Sequence, residues 1–236
     1  MKNLSLFSPR NSTLTPAILL LILFAVSSCK KKEDTDTTIG YLRVINSAPT
    51  LATYYPFINS TSVSSSALPY GGSTAYTTNA SGSTTVKFTA ENNAESLFTK
   101  TINLSPSTYN SFYLINKPGS LEGLLIADDL SMASADRAYI RYINLSPDAP
   151  ALDLAKTGEA TALITNKSYK TASGFIAVTP GAYTFDAKET STGTVKAVSS
   201  SATLAAGYHY DIICGGLINP TNDTERTINV TTVLIK

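Results

Sequence analysis

Apolar and polar residues alternate along much of this 236-residue chain. Thr85-Val-Lys-Phe-Thr89 and Tyr183-Thr-Phe-Asp-Ala-Lys188 change character at every second position, the period of a strand with one face on a core. Thr, Val, Ile and Tyr are plentiful, and turn-forming clusters such as Ala80-Ser-Gly-Ser83 and Thr179-Pro-Gly181 break the runs. Beyond the first 29 residues no long helical period is sustained, although Ala94-Glu-Ser-Leu-Phe98 reads equally as a helical turn or a strand start. Short strands at this spacing predict an all-β sandwich architecture rather than a helical or α/β fold.

The pattern also repeats. Tyr41-Leu-Arg-Val-Ile-Asn-Ser-Ala-Pro49 returns as Tyr139-Ile-Arg-Tyr-Ile-Asn-Leu-Ser-Pro147, with Tyr, Arg, Ile, Asn and Pro in register. After one gap the correspondence pairs Tyr70 with Tyr169, Tyr76 with Phe175, Gly82 with Gly181, Thr85 with Thr184 and Tyr109 with Tyr208. Aromatic residues and glycines recurring in order predict two tandem Ig-like β-sandwich domains, each of ordinary domain size. Residues 39–130 form one and 139–236 the other, with the small, polar stretch 131–138 as linker. Leu121–Ala127 and Ile228–Ile235 are the expected closing strands.

In the repeated phrase a β-rich run leads into a corner, Ser146-Pro-Asp-Ala-Pro150. Its prolines fix φ, and Asp148 is expected to bond its own backbone two residues on. The first repeat keeps only Pro49 of this corner, so its corner is expected to be looser.

The start of the chain departs from the β pattern. Residues 1–28 carry Lys2 and Arg10, an apolar run Ala17–Val26, then Ser27 and Ser28 before Cys29. This is the layout of a secretory signal, and the run is shorter than the roughly 20 residues of a membrane-spanning helix. Val26-Ser-Ser-Cys29 resembles a lipobox, which implies cleavage before Cys29 and lipid on that residue. Residues 29–38 read as a solvated tether, KKKEDTDTT, with no apolar face. Lysines followed by acids after such a cysteine resemble the export tag of Gram-negative surface lipoproteins. The implied address is the outer membrane, lipid-anchored and surface-exposed, with a periplasmic-facing orientation as the alternative. Asp36-Thr37-Thr38 resembles a bacterial O-glycan attachment site, although a plain polar linker is the favoured reading.

RYINLSPDAP and Thr203-Leu-Ala-Ala-Gly-Tyr-His-Tyr210 resemble the domain-of-unknown-function 4397 family. LRVINSAP and Gly123-Leu-Leu-Ile-Ala-Asp-Asp129 resemble it more weakly. The resemblance implies a secreted or lipid-anchored bacterial protein and brings no activity with it.

Charge narrows the partners. Removing residues 1–28 takes away Lys2 and Arg10 and leaves 16 basic against 17 acidic residues. Without clustered positive charge, nucleic acid is not an expected partner. No cofactor or metal is expected, since one histidine and scattered acids make no ligand set. His209 and Asp211 share a strand face, but no nucleophile elbow accompanies them, so a hydrolase is the weakest reading. They are instead expected to form the polar face of a strand whose other face is Tyr208, Tyr210, Ile212 and Cys214. With Cys29 lipidated, Cys214 has no partner and is expected to be a buried hydrophobe.

Arg43 and Arg141 occupy one position of the repeat. They read either as recognition groups for carboxylate or sugar, or as an ion pair or carbonyl cap that braces the corner. Tyr54, Tyr55 and Phe57 form an aromatic patch in the first repeat only and are the other ligand-contact candidates. The leading expectation is a non-enzymatic envelope lipoprotein that contacts an unknown protein or glycan or serves a structural role. The alternative is a glycan-binding accessory lipoprotein of an outer-membrane uptake system.

Overall fold

The computed structural model describes residues 38–90, 95–131 and 134–236. The expected signal peptide, Cys29, most of the tether and Thr37 lie outside them. Residues Thr35–Lys236 belong to one compact unit, and every regular element described in it is a β-strand.

The first half contains β1 (Ile39–Asn46), β2 (Tyr55–Ile58), β3 (Thr61–Ser62), β4 (Thr77–Ala80), β5 (Gly82–Thr89), β6 (Ser96–Leu104), β7 (Tyr109–Ile115) and β8 (Glu122–Asp128). The second half begins with β9 (Ala138–Asn144), β10 (Leu152–Lys156), β11 (Ala162–Lys167), β12 (Thr171–Ala172) and β13 (Ile176–Val178). It continues with β14 (Gly181–Tyr183), β15 (Phe185–Glu189), β16 (Val195–Val198), β17 (Ala202–Leu204), β18 (His209–Gly215) and β19 (Asn229–Leu234).

The first half builds two four-stranded sheets, and the second repeats that plan with a five-stranded inner sheet, a four-stranded outer sheet and the added two-stranded pair β14-β17. An inner sheet has the order β4-β1-β7-β8 in the first half and β12-β9-β18-β19 in the second, where β13 also pairs with β9. The outer sheets are β3-β2-β5-β6 and β11-β10-β15-β16. The opening strand of each half runs parallel to its late partner, Tyr41 opposite Tyr109 and Tyr139 opposite His209. The strand expected to close each half pairs antiparallel beside it, β8 on β7 and β19 on β18.

Three apolar cores connect four layers. One lies between the sheets of the first half, around Leu42, Val44, Tyr54, Phe88 and Phe112. Another lies within the second half, around Ile140, Tyr142, Leu154, Phe185 and Ile212. The third joins the two inner sheets and draws Ile45, Tyr113 and Ile115 against Ile143, Leu145 and Ile213. The inner strands are therefore covered on both faces, and every residue of β9 and β18 is buried. Each fully buried aliphatic side chain contributes about 1.5–3 kcal/mol of transfer free energy.

This stacking corrects several expectations. The polar face of β18 is not left open to solvent: Asp211 is buried against Arg43 and Tyr113 of the other half, and His209 is buried against Tyr139 and Phe175 of its own. Tyr183–Lys188 is not one strand, since β14 pairs with β17 and β15 with β10 and β16. Structurally, Tyr109 corresponds to His209 rather than to Tyr208, because each pairs with the opening tyrosine of its half. Of the two readings left open for the stretch ending at Phe98, the strand is the one found, since Leu97 and Phe98 lie in β6.

The corners also differ from expectation. Asp148 cannot bond backbone two residues on, where Pro150 has no N–H. Its carboxylate accepts instead from the backbone N–H groups of Ile218 and Asn219, both at 2.9 Å. The local side-chain bond belongs to Asn144, whose Oδ1 accepts from Ser146 N at 3.1 Å; Asn46 does the same for Ala48 at 3.1 Å. The first corner is the more enclosed of the two. Pro49 and Thr50 are buried, and Pro49 O accepts from Arg226 N of the other half at 3.0 Å.

Candidate functional site

Alternation along β1 and β9 sends Leu42, Val44, Ile140 and Tyr142 into the cores of their own halves. Arg43 and Arg141 therefore face the joint between the halves. Both arginines are only 2% exposed. Arg141 donates through Nε to Asp211 Oδ1 at 2.8 Å, through Nη2 to Asp128 Oδ1 at 2.6 Å and through Nη1 to Ala127 O at 3.1 Å. Arg43 repeats the arrangement from the other side. Its Nε donates to Ser111 Oγ at 2.9 Å, Nη2 to Asp211 Oδ2 at 3.3 Å and Nη1 to Leu234 O at 2.9 Å. Each arginine thus bonds its own half through Nε and a carbonyl of the other half through Nη1.

Hydroxyl groups complete the cluster. Tyr113 donates to Asp211, Tyr76 to Asp128 Oδ2 at 2.6 Å and Ser111 to the same oxygen at 2.7 Å. Two guanidinium and two carboxylate groups balance in charge, and hydrogen bonds satisfy them, as buried charge requires. Burial, and then the Asp211 charge, holds the Tyr113 phenol well above the ordinary tyrosine range. Burial, followed by Asp128, does the same for Tyr76. Burial alone would lower the Arg141 pKa, but Asp211, Tyr113 and Asp128 reverse that and raise it.

Matched aromatic groups lie beside this cluster. Tyr41 stacks on Tyr109 at 4.3 Å, with Tyr76 edge-on to Tyr109 at 5.0 Å. Tyr139 stacks on His209 at 4.8 Å, with Phe175 edge-on at 4.9 Å. Arg141 lies 4.7 Å from the centroid of Phe175, and Arg43 5.6 Å from that of Tyr76. Sequence reasoning picked out both arginines but missed Asp128, Ser111 and Tyr113. The available signal was Asp211 in a run of buried-strand residues, which calls for a buried cation opposite.

The aromatic patch is divided between two faces. Tyr54 packs with Ile58 and Leu68 in the core of the first half, and burial raises its pKa. Phe57 is buried beside the Lys87 ammonium, 4.5 Å from its ring centroid, while Tyr55 is half-buried. The three rings do not meet on one exposed face. Cys214 is buried as well, and desolvation pushes its thiol up to about 12. Among the described residues no cluster of three or more His, Cys, Asp or Glu could hold a metal.

An open groove of about 760 Å³ lies between the edge strands β3 and β4 of the first half. Its polar lining includes Asn59, Thr61, Ser62, Thr77, Thr78 and Asn79, and among the described residues no charged or aromatic side chain lines it. Several of these groups are fixed in place. Ser62 Oγ donates to Ser64 O at 2.8 Å, Thr77 Oγ1 to Leu42 O at 3.0 Å and Asn79 Nδ2 to Thr77 Oγ1 at 3.1 Å.

A family model described as a domain of unknown function (DUF4397) matches residues 40–155, from β1 through β10. No curated protein matches the chain. Among solved structures, a family CBM26 module of Eubacterium rectale Amy13K in complex with maltoheptaose is 10% identical. The match covers 83% of this chain and 96% of that one at a TM-score of 0.25. A streptococcal virulence factor described by its alpha-glucan binding is 12% identical, covering 81% and 97% at a TM-score of 0.25. A leucine-rich repeat protein from Bacteroides thetaiotaomicron is 11% identical, covering 80% and 27% at a TM-score of 0.19.

Proposed function

We propose that this chain is a non-enzymatic cell-envelope lipoprotein made of two tandem Ig-like sandwich units. Lipid on Cys29 tethers it to the outer membrane, and the paired units serve as a surface contact module for a protein or glycan. The observation that carries this reading is the enclosure of Arg43, Arg141, Asp128 and Asp211 in the joint between the halves. A catalyst needs its titratable groups against a substrate, whereas these hold one half to the other. His209 is likewise buried, against Tyr139 and Phe175.

Two measurements test the reading. A Cys29→Ala variant is expected in the soluble fraction after cell breakage, because several acyl chains anchor a protein stably where one does not. Protease added to intact cells should remove the protein when it is surface-displayed. Sedimentation of the variant with membranes would exclude the lipid anchor, and protection from protease would exclude display. The uncharged, hydroxyl-lined groove favours a second reading, a glycan-binding accessory lipoprotein of an outer-membrane uptake system.

A further inference from the structure

The two halves share one plan, so a place where they differ isolates a feature that the fold alone does not require. Such a place is the edge formed by β4 in the first half and β13 in the second. Thr77 of β4 pairs with Leu42 of β1, and Ile176 of β13 pairs with Ile140 of β9. Asn79 pairs with Gly40, and Val178 with Ala138. Leu42 and Ile140, like Gly40 and Ala138, are corresponding positions of the repeat.

In the second half this edge is packed shut. Val178 belongs to the core and Ile176 packs against it, while Ile164 of the facing strand β11 is buried in the same cluster. In the first half the same edge carries Thr77 and Asn79, and the facing β3 carries exposed Thr61 and Ser62. The sandwich opens there into the groove.

We propose that this groove binds a neutral oligosaccharide. Hydroxyl and amide side chains both donate and accept hydrogen bonds, as do the hydroxyls of a sugar. The lining offers no cation to an acidic polymer and no deep apolar pocket to anchor a peptide side chain. The internal bonds of Ser62, Thr77 and Asn79 orient these groups before a ligand arrives, which lowers the ordering cost of binding. β3 and β4, each at the end of its sheet, border this open groove, so it suits a chain of sugars better than a single ring.

The proposal rests on the glycan-contact reading and names its site. Its test is isothermal titration of the purified full-length chain with maltoheptaose, cellohexaose and mannohexaose. A hexamer of galacturonic acid and a short neutral peptide serve as controls. At least one neutral oligosaccharide is expected to bind and the controls are not. Thr77→Ile with Asn79→Val gives the first half the residues of the second and should weaken that binding by about tenfold or more. The melting temperature should hold or rise. Ser65 also lines the groove and is exposed, so Ser65→Arg should weaken binding likewise, without touching the packing. Binding retained in both variants overturns the groove as the site while leaving glycan contact standing. Binding by the acidic hexamer or the peptide alone, or by nothing, overturns the ligand class. The contact-module reading is then decided by its own cell-surface measurements.

Discussion

Arg141 in the second half and Asp128 in the first are joined at 2.6 Å, with both side chains enclosed. The contact crosses from one half of the chain to the other. Removing one partner of such a pair costs about 3–5 kcal/mol, because the remaining charge stays buried without compensation. Asp211 serves both arginines, so Asp211→Asn is expected to lower the melting temperature by on the order of 10 °C, given about 2–4 °C per kcal/mol at this chain length. Asp128→Asn leaves Arg141 its bond to Asp211 and should cost less. Thermal melts of the two variants check the order. The loss should be nearly independent of salt, since enclosed pairs are poorly screened.

The tyrosines predict an alkaline limit. Tyr70 and Tyr169 are pushed up to about 12 by burial, and Tyr76, Tyr113 and Tyr142 are raised as well, burial being the largest cause in each. A raised folded value means that the neutral phenol is favoured by folding. This stability is complete below the unfolded tyrosine pKa of about 10 and is lost as pH rises through the folded values. Stability should therefore fall steeply above about pH 10. Absorbance titration should show Tyr70, Tyr76, Tyr113, Tyr142 and Tyr169 keeping their protons past about pH 10, and ionisation of these five at the ordinary tyrosine value would contradict it.

Gly123 predicts a packing defect. A Cβ built there lies 2.1 Å from Phe112 Cζ and 2.9 Å from Phe98 Cζ. Lys100 Nζ also donates to the Gly123 carbonyl at 2.7 Å, tying β6 to β8. Gly123→Ala forces two rings aside and should cost about 1–3 kcal/mol as overpacking. Urea denaturation measures it, and an unchanged midpoint would show that the side of the sandwich closed by β6 and β8 is slack.

Each half contains an apolar core of its own, but the third core and the four charges need both. Fragments 39–130 and 136–236 are expected to give β-type circular dichroism spectra and to melt below the full chain. Mixed together, they should associate and recover much of the lost stability. Fragments that melt as high as the whole chain would show that the joint contributes little.

The sequence by itself determined that this chain is built of strands and that its plan recurs. Period-two alternation in Thr85–Thr89, β-branched and aromatic runs, and turn clusters are local signals, and strand formation follows from local backbone and side-chain preference. The recurrence of Tyr41, Arg43 and Asn46 as Tyr139, Arg141 and Asn144 was visible for the same reason.

What the repeated arginines do was decided by the tertiary structure alone. The partners of Arg43 include Asp211, 168 positions away, and no local pattern encodes that distance. The stacking of the inner sheets also decided which faces are buried. A strand covered on one side and a strand covered on both can carry the same alternation when part of the second face is filled by paired charge, as Arg43, Arg141 and Asp211 do beside the third core. For that reason the polar face of His209 and Asp211 gave no sign that it would be buried. The groove between β3 and β4 was hidden for a related reason. Thr77 and Asn79 are ordinary edge-strand residues until they are set beside Ile176 and Val178, and that comparison depends on the register of β4 and β13 rather than on their order in the chain.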